Sequence, residues 1–410
     1  MKSFFEVESD FKFEDLFFSR TNTKGVIQSG NSVFQRVSKY SWEEIIQKPH
    51  SVIRHPGMPR GVFHLFWEMI LAGKPTGAYV VNKSKDGSYY WVYALASPIH
   101  DGFISIRLKP SSHLLETVKH KYAELLDLEQ KQNLSPQASH DILLEEIRKL
   151  GFKDYVHFMT EALTTEIESR QQALGQDPIG AILNLREILD LGTQLQKKCE
   201  GIFSSYRKVA FVPLNLEVQS ARIGQEAATL AVISRQYSEI STQLQKETEK
   251  FLNTGNLGNA IKENVQECQF DVCNLILTRE LLNFFKNETE HAPIDKDVEM
   301  ALLEKLGASR VEEVKKSLNN VKTVFAQFDV IFKEIRKLTT TLDIVGITGK
   351  IETAKIKQSS SELSGLLDDL MAYKTTVKQS LQEIDDIGKN LTTQTDEIKD
   401  ELETYLKSFR

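Results

Sequence analysis

The chain has 410 residues, enough for two or three domains, and 40% of them are hydrophobic, enough to bury a core. A formal net charge of −6 gives no global nucleic-acid footprint, and no stretch approaches the roughly 20 apolar residues of a membrane span. Met1–Glu8 carries acids where a secretory leader needs an apolar run, and Cys199, Cys268 and Cys273 form no Cys-x-x-Cys pair, so a cytoplasmic protein in a reducing compartment is expected.

From about Phe11 to Lys109 the pattern is one of short strands and short helices. Ser41-Trp-Glu-Glu44 is a capping box that opens a helix. Arg54-His55-Pro56-Gly57-Met58-Pro59 holds two prolines in four residues, which excludes a helix interior and sets two cationic side chains on a stiff loop. Met58 to Ala72 reads as helix, with Val62, Leu65, Phe66 and Met69 on one face and Gly73 at its end. Asp86-Gly87 and Asp101-Gly102 are hairpin turns between Tyr79–Lys83, Tyr89–Ser97 and Phe103–Leu108. These predict an antiparallel sheet with helices on one side, an α+β domain over 11–110 with its exit at Pro110.

From Leu114 onward glycine and proline become sparse and heptad-like apolar positions take over. Residues 111–177 are expected to form a helical linker, in which Ser135 is an N-cap and Pro136 opens the next helix. Residues 178–410 are expected to form an all-α coiled coil or four-helix bundle. Its first long helix spans Ile179 to Phe251, interrupted at Pro213 and Gly224, and ends in a loop over Asn253–Gly258. A helix from about Ala260 to Asn287, a joint at His291–Asp295, and long helices over Val298–Leu342 and Ile351–Leu406 follow.

The runs Phe18–Ile27, Asn31–Phe34, Val37–Ser41 and Pro49–Pro59, with Val81-Asn82-Lys-Ser-Lys85-Asp86-Gly87-Ser-Tyr-Tyr90-Trp91, resemble a PAS domain of the aerotaxis-receptor type. The resemblance covers about the first 110 residues. It implies a PAS fold, FAD as cofactor and sensing of redox or oxygen status, and it places Arg54, His55, Asn31, Asn82 and Trp67 at the cofactor. Gly57 stands where the relatives carry Asp, and Thr76 where they carry Trp. Haem is the alternative ligand; it needs an axial side chain, and His50, His55 and His64 are available. A homodimer through the PAS domain is a further expectation.

Leu214-Asn215-Leu-Glu-Val218-Gln-Ser-Ala221-Arg222-Ile-Gly224-Gln225-Glu226 resembles the hairpin tip of chemoreceptor (methyl-accepting chemotaxis protein) signalling domains. Asn215, Ala221, Arg222 and Gly224 match the tip pattern, while Ala227–Leu230 replaces its Gly-Arg-Gly-Phe element. The resemblance implies a signalling tip that contacts a chemotaxis histidine kinase or coupling protein within a receptor array. Ile351–Gln358 repeats Val218–Gln225 at an offset of 133 residues. Two tandem hairpins are therefore expected, 178–253 turning near Gly224 and 296–409 turning near Lys357, joined by a helical connector and folded together as an intramolecular pseudo-dimer. Gly346 and Gly349 offer an earlier second break.

Gly-x-Ser-x-Gly, phosphate loops and zinc spacings are absent, and His120 lacks the acidic neighbour of a kinase phosphoacceptor. The chain reads as a cytoplasmic signal-transduction protein rather than an enzyme. The alternative is a cofactor-free PAS and coiled-coil scaffold for protein partners.

Overall fold

The computed structural model describes residues 7–253, 256–288, 294–356 and 361–408. Five strands come first: β1 (Phe17–Asn22), β2 (Ile27–Gly30), β3 (Thr76–Lys83), β4 (Tyr89–Ile99) and β5 (Gly102–Leu108). They form one antiparallel sheet in the order β2-β1-β5-β4-β3. Between β2 and β3 lie α1 (Ser32–Ser38), α2 (Trp42–Ile45), a single 3-10 turn over His50–Ile53, and α3 (Arg60–Leu71). The capping box at Ser41 and Glu44 is formed. The β4–β5 turn depends on Gly102, at φ 153°, where a Cβ would sit 2.0 Å from the Thr21 carbonyl oxygen.

After the sheet the chain is helical: α4 (His113–Gln132), α5 (Pro136–Lys149), α6 (Tyr155–Ala173), α7 (Gly180–Val209), α8 (Val212–Ile223), α9 (Ala228–Asn253), α10 (Asn256–Lys286), α11 (Lys296–Lys355) and α12 (Ser361–Ser408). Among the described residues no helix is long and apolar enough to cross a membrane. The chain divides into two compact units, Met1–Leu183 with Gln266–Lys315 and Lys399–Arg410, and Asn184–Val265 with Lys316–Ile398.

In the first unit, strand alternation gives the sheet two different faces. The inner face carries Ser19, Val80, Asn82, Ala94, Ala96, Phe103, Ser105 and Arg107 toward α3. The outer face is covered by later helices. Within residues 111–177, expected as a linker, α4 and α6 fold back onto it, while α5 packs against α3. The Tyr79 ring packs 6.4 Å from Phe158, Trp91 lies 6.2 Å from Tyr122, and the Tyr93 and Tyr155 hydroxyls donate to the Met159 and Gly77 carbonyls at 2.7 Å. On β1, Phe18 packs against Phe285 of α10 at 5.1 Å, and Arg20 pairs with the buried Glu299 of α11 at 2.7 Å. The reason is compositional: these strands carry aromatics on both faces, so neither face can be left to water.

In the second unit, α9 folds back along α8. Gly224, at φ 81°, ends α8, and the Ser234 hydroxyl donates to the Pro213 carbonyl at 2.6 Å. The break ahead of α8 falls at 210–211, just before Pro213, which sits in the first turn of α8 as proline can. The expected gap between Leu342 and Ile351 is absent: α11 is continuous through Gly346 and Gly349. Gly349 allows close packing, because a Cβ there would lie 3.1 Å from Leu367 of α12. The second turn, near Lys357, and the joint at His291 lie outside the described residues.

The two halves of this unit match at the 133-residue offset. Residues 211–222 and 344–355 have the same sequence of buried and exposed positions. Even a side-chain bond recurs, with Ser220 donating to the Leu216 carbonyl at 2.7 Å and Thr353 to the Gly349 carbonyl at 2.8 Å.

Candidate functional site

The inner face of the sheet and α3 enclose a cavity of about 260 Å³ that opens to solvent beside Lys24 and Ser51. It exists because the floor is small-chained: Ala94 and Ala96 of β4 and Ser105 of β5 leave room that Trp67 and Phe66 of α3 roof over. Trp67 meets Phe103 edge-on at 5.6 Å and passes over Gly25, whose φ of 72° and missing Cβ admit the ring.

Three of the residues expected at a cofactor meet on this wall. Arg54 lies across the Phe63 ring, 3.9 Å from its centroid, and withdrawal from water lowers its pKa. Its backbone bridges to that of Asn82. Asn82 is 3% exposed, and its Nδ2 has no hydrogen-bond acceptor among the described residues. Trp67 supplies the aromatic surface described above.

Asn31 and His55, also expected at the cofactor, are not among the residues that line the cavity. Asn31 is fully buried; its amide accepts from the Phe18 N–H at 3.2 Å and donates to the Leu16 carbonyl at 3.0 Å, tying β1 to the start of α1. His55 accepts from the Gly57 N–H through Nδ1 at 2.9 Å and packs near Tyr89, so it holds the proline loop in shape. Both side chains are engaged by their own backbone neighbourhood.

Two residues that the resemblance does not place at a cofactor belong to the same cavity. Arg107 is 3% exposed and lines the cavity. It donates to Ser19 Oγ at 2.9 Å and to the Ser105 carbonyl at 3.3 Å, and it contacts His50 Nε2 at 2.7 Å. The Phe17 ring lies 5.3 Å away. No carboxylate pairs with it among the described residues, and burial pushes its pKa down to about 10. His50 is held well below the ordinary imidazole value by removal from water and by the guanidinium groups of Arg107 and Arg54. It is therefore neutral, with Nε2 as the acceptor for Arg107. Ser105 Oγ is a second buried polar atom without a partner among the described residues. The wall thus presents a lone buried cation, an unused amide donor and an unused hydroxyl to one space. That arrangement suits a planar ligand carrying carbonyl or anionic oxygens.

The tip residues Asn215, Ala221, Arg222 and Gly224 lie in the other unit, all exposed around the end of α8.

Residues 29–103 match the PAS fold family. With the sheet order and the cavity, this defines a PAS-domain protein with a long helical region. Over 112 residues the chain is 33% identical to the aerotaxis receptor of Escherichia coli K12; the match spans 26% of this chain and 22% of the receptor. Among solved structures, a PAS domain from Colwellia psychrerythraea is 23% identical, covering 24% of this chain and 86% of that one, with a TM-score of 0.21. The LOV domain of a blue-light activated histidine kinase from Erythrobacter litoralis is 16% identical, covering 23% and 92%, also with a TM-score of 0.21.

Proposed function

We propose that the chain is a cytoplasmic redox or oxygen sensor whose PAS cavity holds a flavin, FAD. In this reading the helical region is a chemoreceptor-like output that addresses a chemotaxis kinase or coupling protein, and the cue serves aerotaxis. The observation that carries the ligand assignment is the pairing of unused donors at Asn82 and Ser105 with the uncompensated Arg107 on one cavity wall. Arg54, Asn82, Trp67, His50, Ser105 and Arg107 are the residues that would hold the group. Bound flavin would supply a redox couple. His50 supports flavin over haem, since its Nε2 is already engaged by Arg107.

The route out of the cavity follows from two buried carboxylates. The loop that carries Arg54 runs directly into α3. Glu129 of α4 accepts from the Arg60 N–H at 2.7 Å, at the first turn of α3, and from Ser139 Oγ of α5 at 2.5 Å. Movement of the loop therefore reaches α4 and α5 together. Glu166 of α6 accepts from the Ser111 N–H at 2.7 Å and from the Tyr79 hydroxyl at 2.7 Å, which ties the exit of β5 to β3. A change in ligand contacts at Arg54 would bias these helices between two packings.

The test is the absorbance of the purified full-length chain, with release of the bound group by heat. A flavin spectrum that is lost in Arg54→Ala and Asn82→Ala, with circular dichroism unchanged, supports the reading. A Soret band, or protein that stays colourless after incubation with FAD, overturns the ligand assignment and favours a cofactor-free scaffold.

A further inference from the structure

The cavity is too small for the whole of an FAD molecule. At about 260 Å³ it falls below the ~300–1,000 Å³ of sites that enclose a drug-sized ligand, and FAD is a dinucleotide. Its ring system suits such a space, but its diphosphate and adenosine must lie outside. A second hollow adjoins the cavity. Arg54, Phe63 and Trp67 line both the cavity and a groove of about 700 Å³ between α3 and α5. The two helices meet closely because Gly61 of α3 has no side chain: a Cβ there would lie 2.5 Å from Ser139 Oγ of α5. α5 falls outside residues 29–103, so half of this groove is built by a helix that is not part of the matched PAS fold.

The chemistry of the groove changes along its length. At the start of α3 it is cationic. Arg54 lies on the Phe63 ring and pairs with no carboxylate among the described residues. Arg60 donates to the Leu134 carbonyl at 2.7 Å, just ahead of α5, whose positive end opens at Pro136. Glu129, 3.5 Å from Arg60 Nε, already accepts from the Arg60 N–H and the Ser139 hydroxyl, so Arg54 carries the uncompensated charge. About two turns further along α3, ~11 Å at 1.5 Å per residue, the character differs. Leu71 is 67% exposed, and the His64 and His140 rings meet edge-on at 5.5 Å. Glu68 lies 3.8 Å from His140 Nε2, and Gln137 beside it carries both a donor and an acceptor. The first end suits phosphate and the second a purine base. Adenine accepts through its ring nitrogens and donates through its amino group, which the Gln137 amide and the Glu68 carboxylate complement.

We propose, on the reading of the cavity as a flavin site, that the α3–α5 groove seats the adenosine diphosphate arm of FAD. α5 is then part of the cofactor site, and Gln137, with Leu71 of α3, selects FAD over shorter flavins. The cofactor touches the helical region directly, without the loop as intermediary.

Fluorescence titration of the cofactor-free full-length chain with riboflavin, flavin mononucleotide and FAD tests the assignment. FAD should bind about tenfold tighter than the mononucleotide. Leu71→Glu sets a carboxylate where the base would pack, and Gln137→Ala removes the amide. Both sites are exposed, so the fold should tolerate the changes. Each variant should bring the affinity for FAD down to that for the mononucleotide and leave the mononucleotide itself unaffected. In the unmodified chain, FAD and not the mononucleotide should slow hydrogen exchange at the amides that open α5. Equal affinity for the two nucleotides overturns the proposal while the flavin reading stands. So does a preference for FAD that is indifferent to both variants, or α5 amides that exchange alike with either ligand. A chain that binds none of the three flavins overturns the flavin reading and this assignment with it.

Discussion

A guanidinium withdrawn from water, with a hydroxyl, an imidazole, a carbonyl and an aromatic ring around it but no carboxylate among the described residues, raises the free energy of the ligand-free domain. Arg107→Met keeps the length of the side chain and removes the charge. It should raise the melting temperature of the ligand-free chain while abolishing binding of an anionic or carbonyl-bearing ligand; loss of both stability and binding would show that Arg107 is needed for the fold itself. His50 gives a pH signature. Its folded-state pKa lies below the ordinary 6.5, so the unfolded chain binds the extra proton first as pH falls. The stability that neutral His50 contributes is complete above pH 6.5 and declines as the pH drops below it. The limiting slope is about 1.4 kcal/mol per pH unit. His50→Gln keeps an acceptor for Arg107 and should remove that slope from melting curves collected between neutral and acidic pH. Arg54, Asn82 and Trp67 were legible because they sit in recognisable motifs. Arg107 was not. In Phe103-Ile-Ser-Ile-Arg107-Leu the polar residues alternate with aliphatics, which reads as a strand with its polar side to water. Here that side faces the cavity, and the aliphatic side faces the helices that come later in the chain.

At the scale of elements, local chemistry specified the short pieces well. The capping box at Ser41, the N-cap at Ser135 with Pro136, and the two Asp-Gly turns all form where the residues demand them. What the chain did not disclose locally is which element covers which. Nothing about Leu114–Ala173 in isolation shows that α4 and α6 close the outer face of the sheet while α5 packs on α3, since an amphipathic helix does not name its partner. Gly346 and Gly349 misled for a related reason: glycine within a helix costs only about 1 kcal/mol relative to alanine, and close helix contact at Gly349 offsets that. Glu166 tests the covering helices. It is fully buried, and it accepts from two backbone N–H groups and two hydroxyls, one of them Tyr79, whose pKa burial and this carboxylate push up so that it stays a donor. Glu166→Ala leaves those donors unpaired and should destabilise the first unit by about 3–5 kcal/mol, seen as an early transition in a thermal melt. Ala96→Leu acts on the cavity instead. It should fill the floor, exclude ligand and leave the melt of the ligand-free chain close to that of the parent.

For the whole molecule, the 133-residue repeat is the feature that composition alone could not distinguish from two coiled coils of similar make-up. In the folded chain both copies show the same burial at twelve successive positions and a matching hydroxyl-to-carbonyl bond. A Cβ built on Gly349 would lie 3.6 Å from Ile233, so α9 and α11 pack side by side at this point. We expect the second unit to behave as two hairpins folded together within one chain, which would place Arg222 and Lys355 at comparable heights near one end. Both are exposed and accept labels without disturbing the core. Spin labels at Arg222→Cys and Lys355→Cys, in protein diluted with unlabelled chain to suppress contacts between copies, should report one short intramolecular distance. That distance should be comparable to the width of a four-helix bundle, about two helix diameters of ~10 Å each. A separation approaching the length of α9, 26 residues at ~1.5 Å rise, would mean that the two hairpins point apart and that the repeat does not form an internal pseudo-dimer.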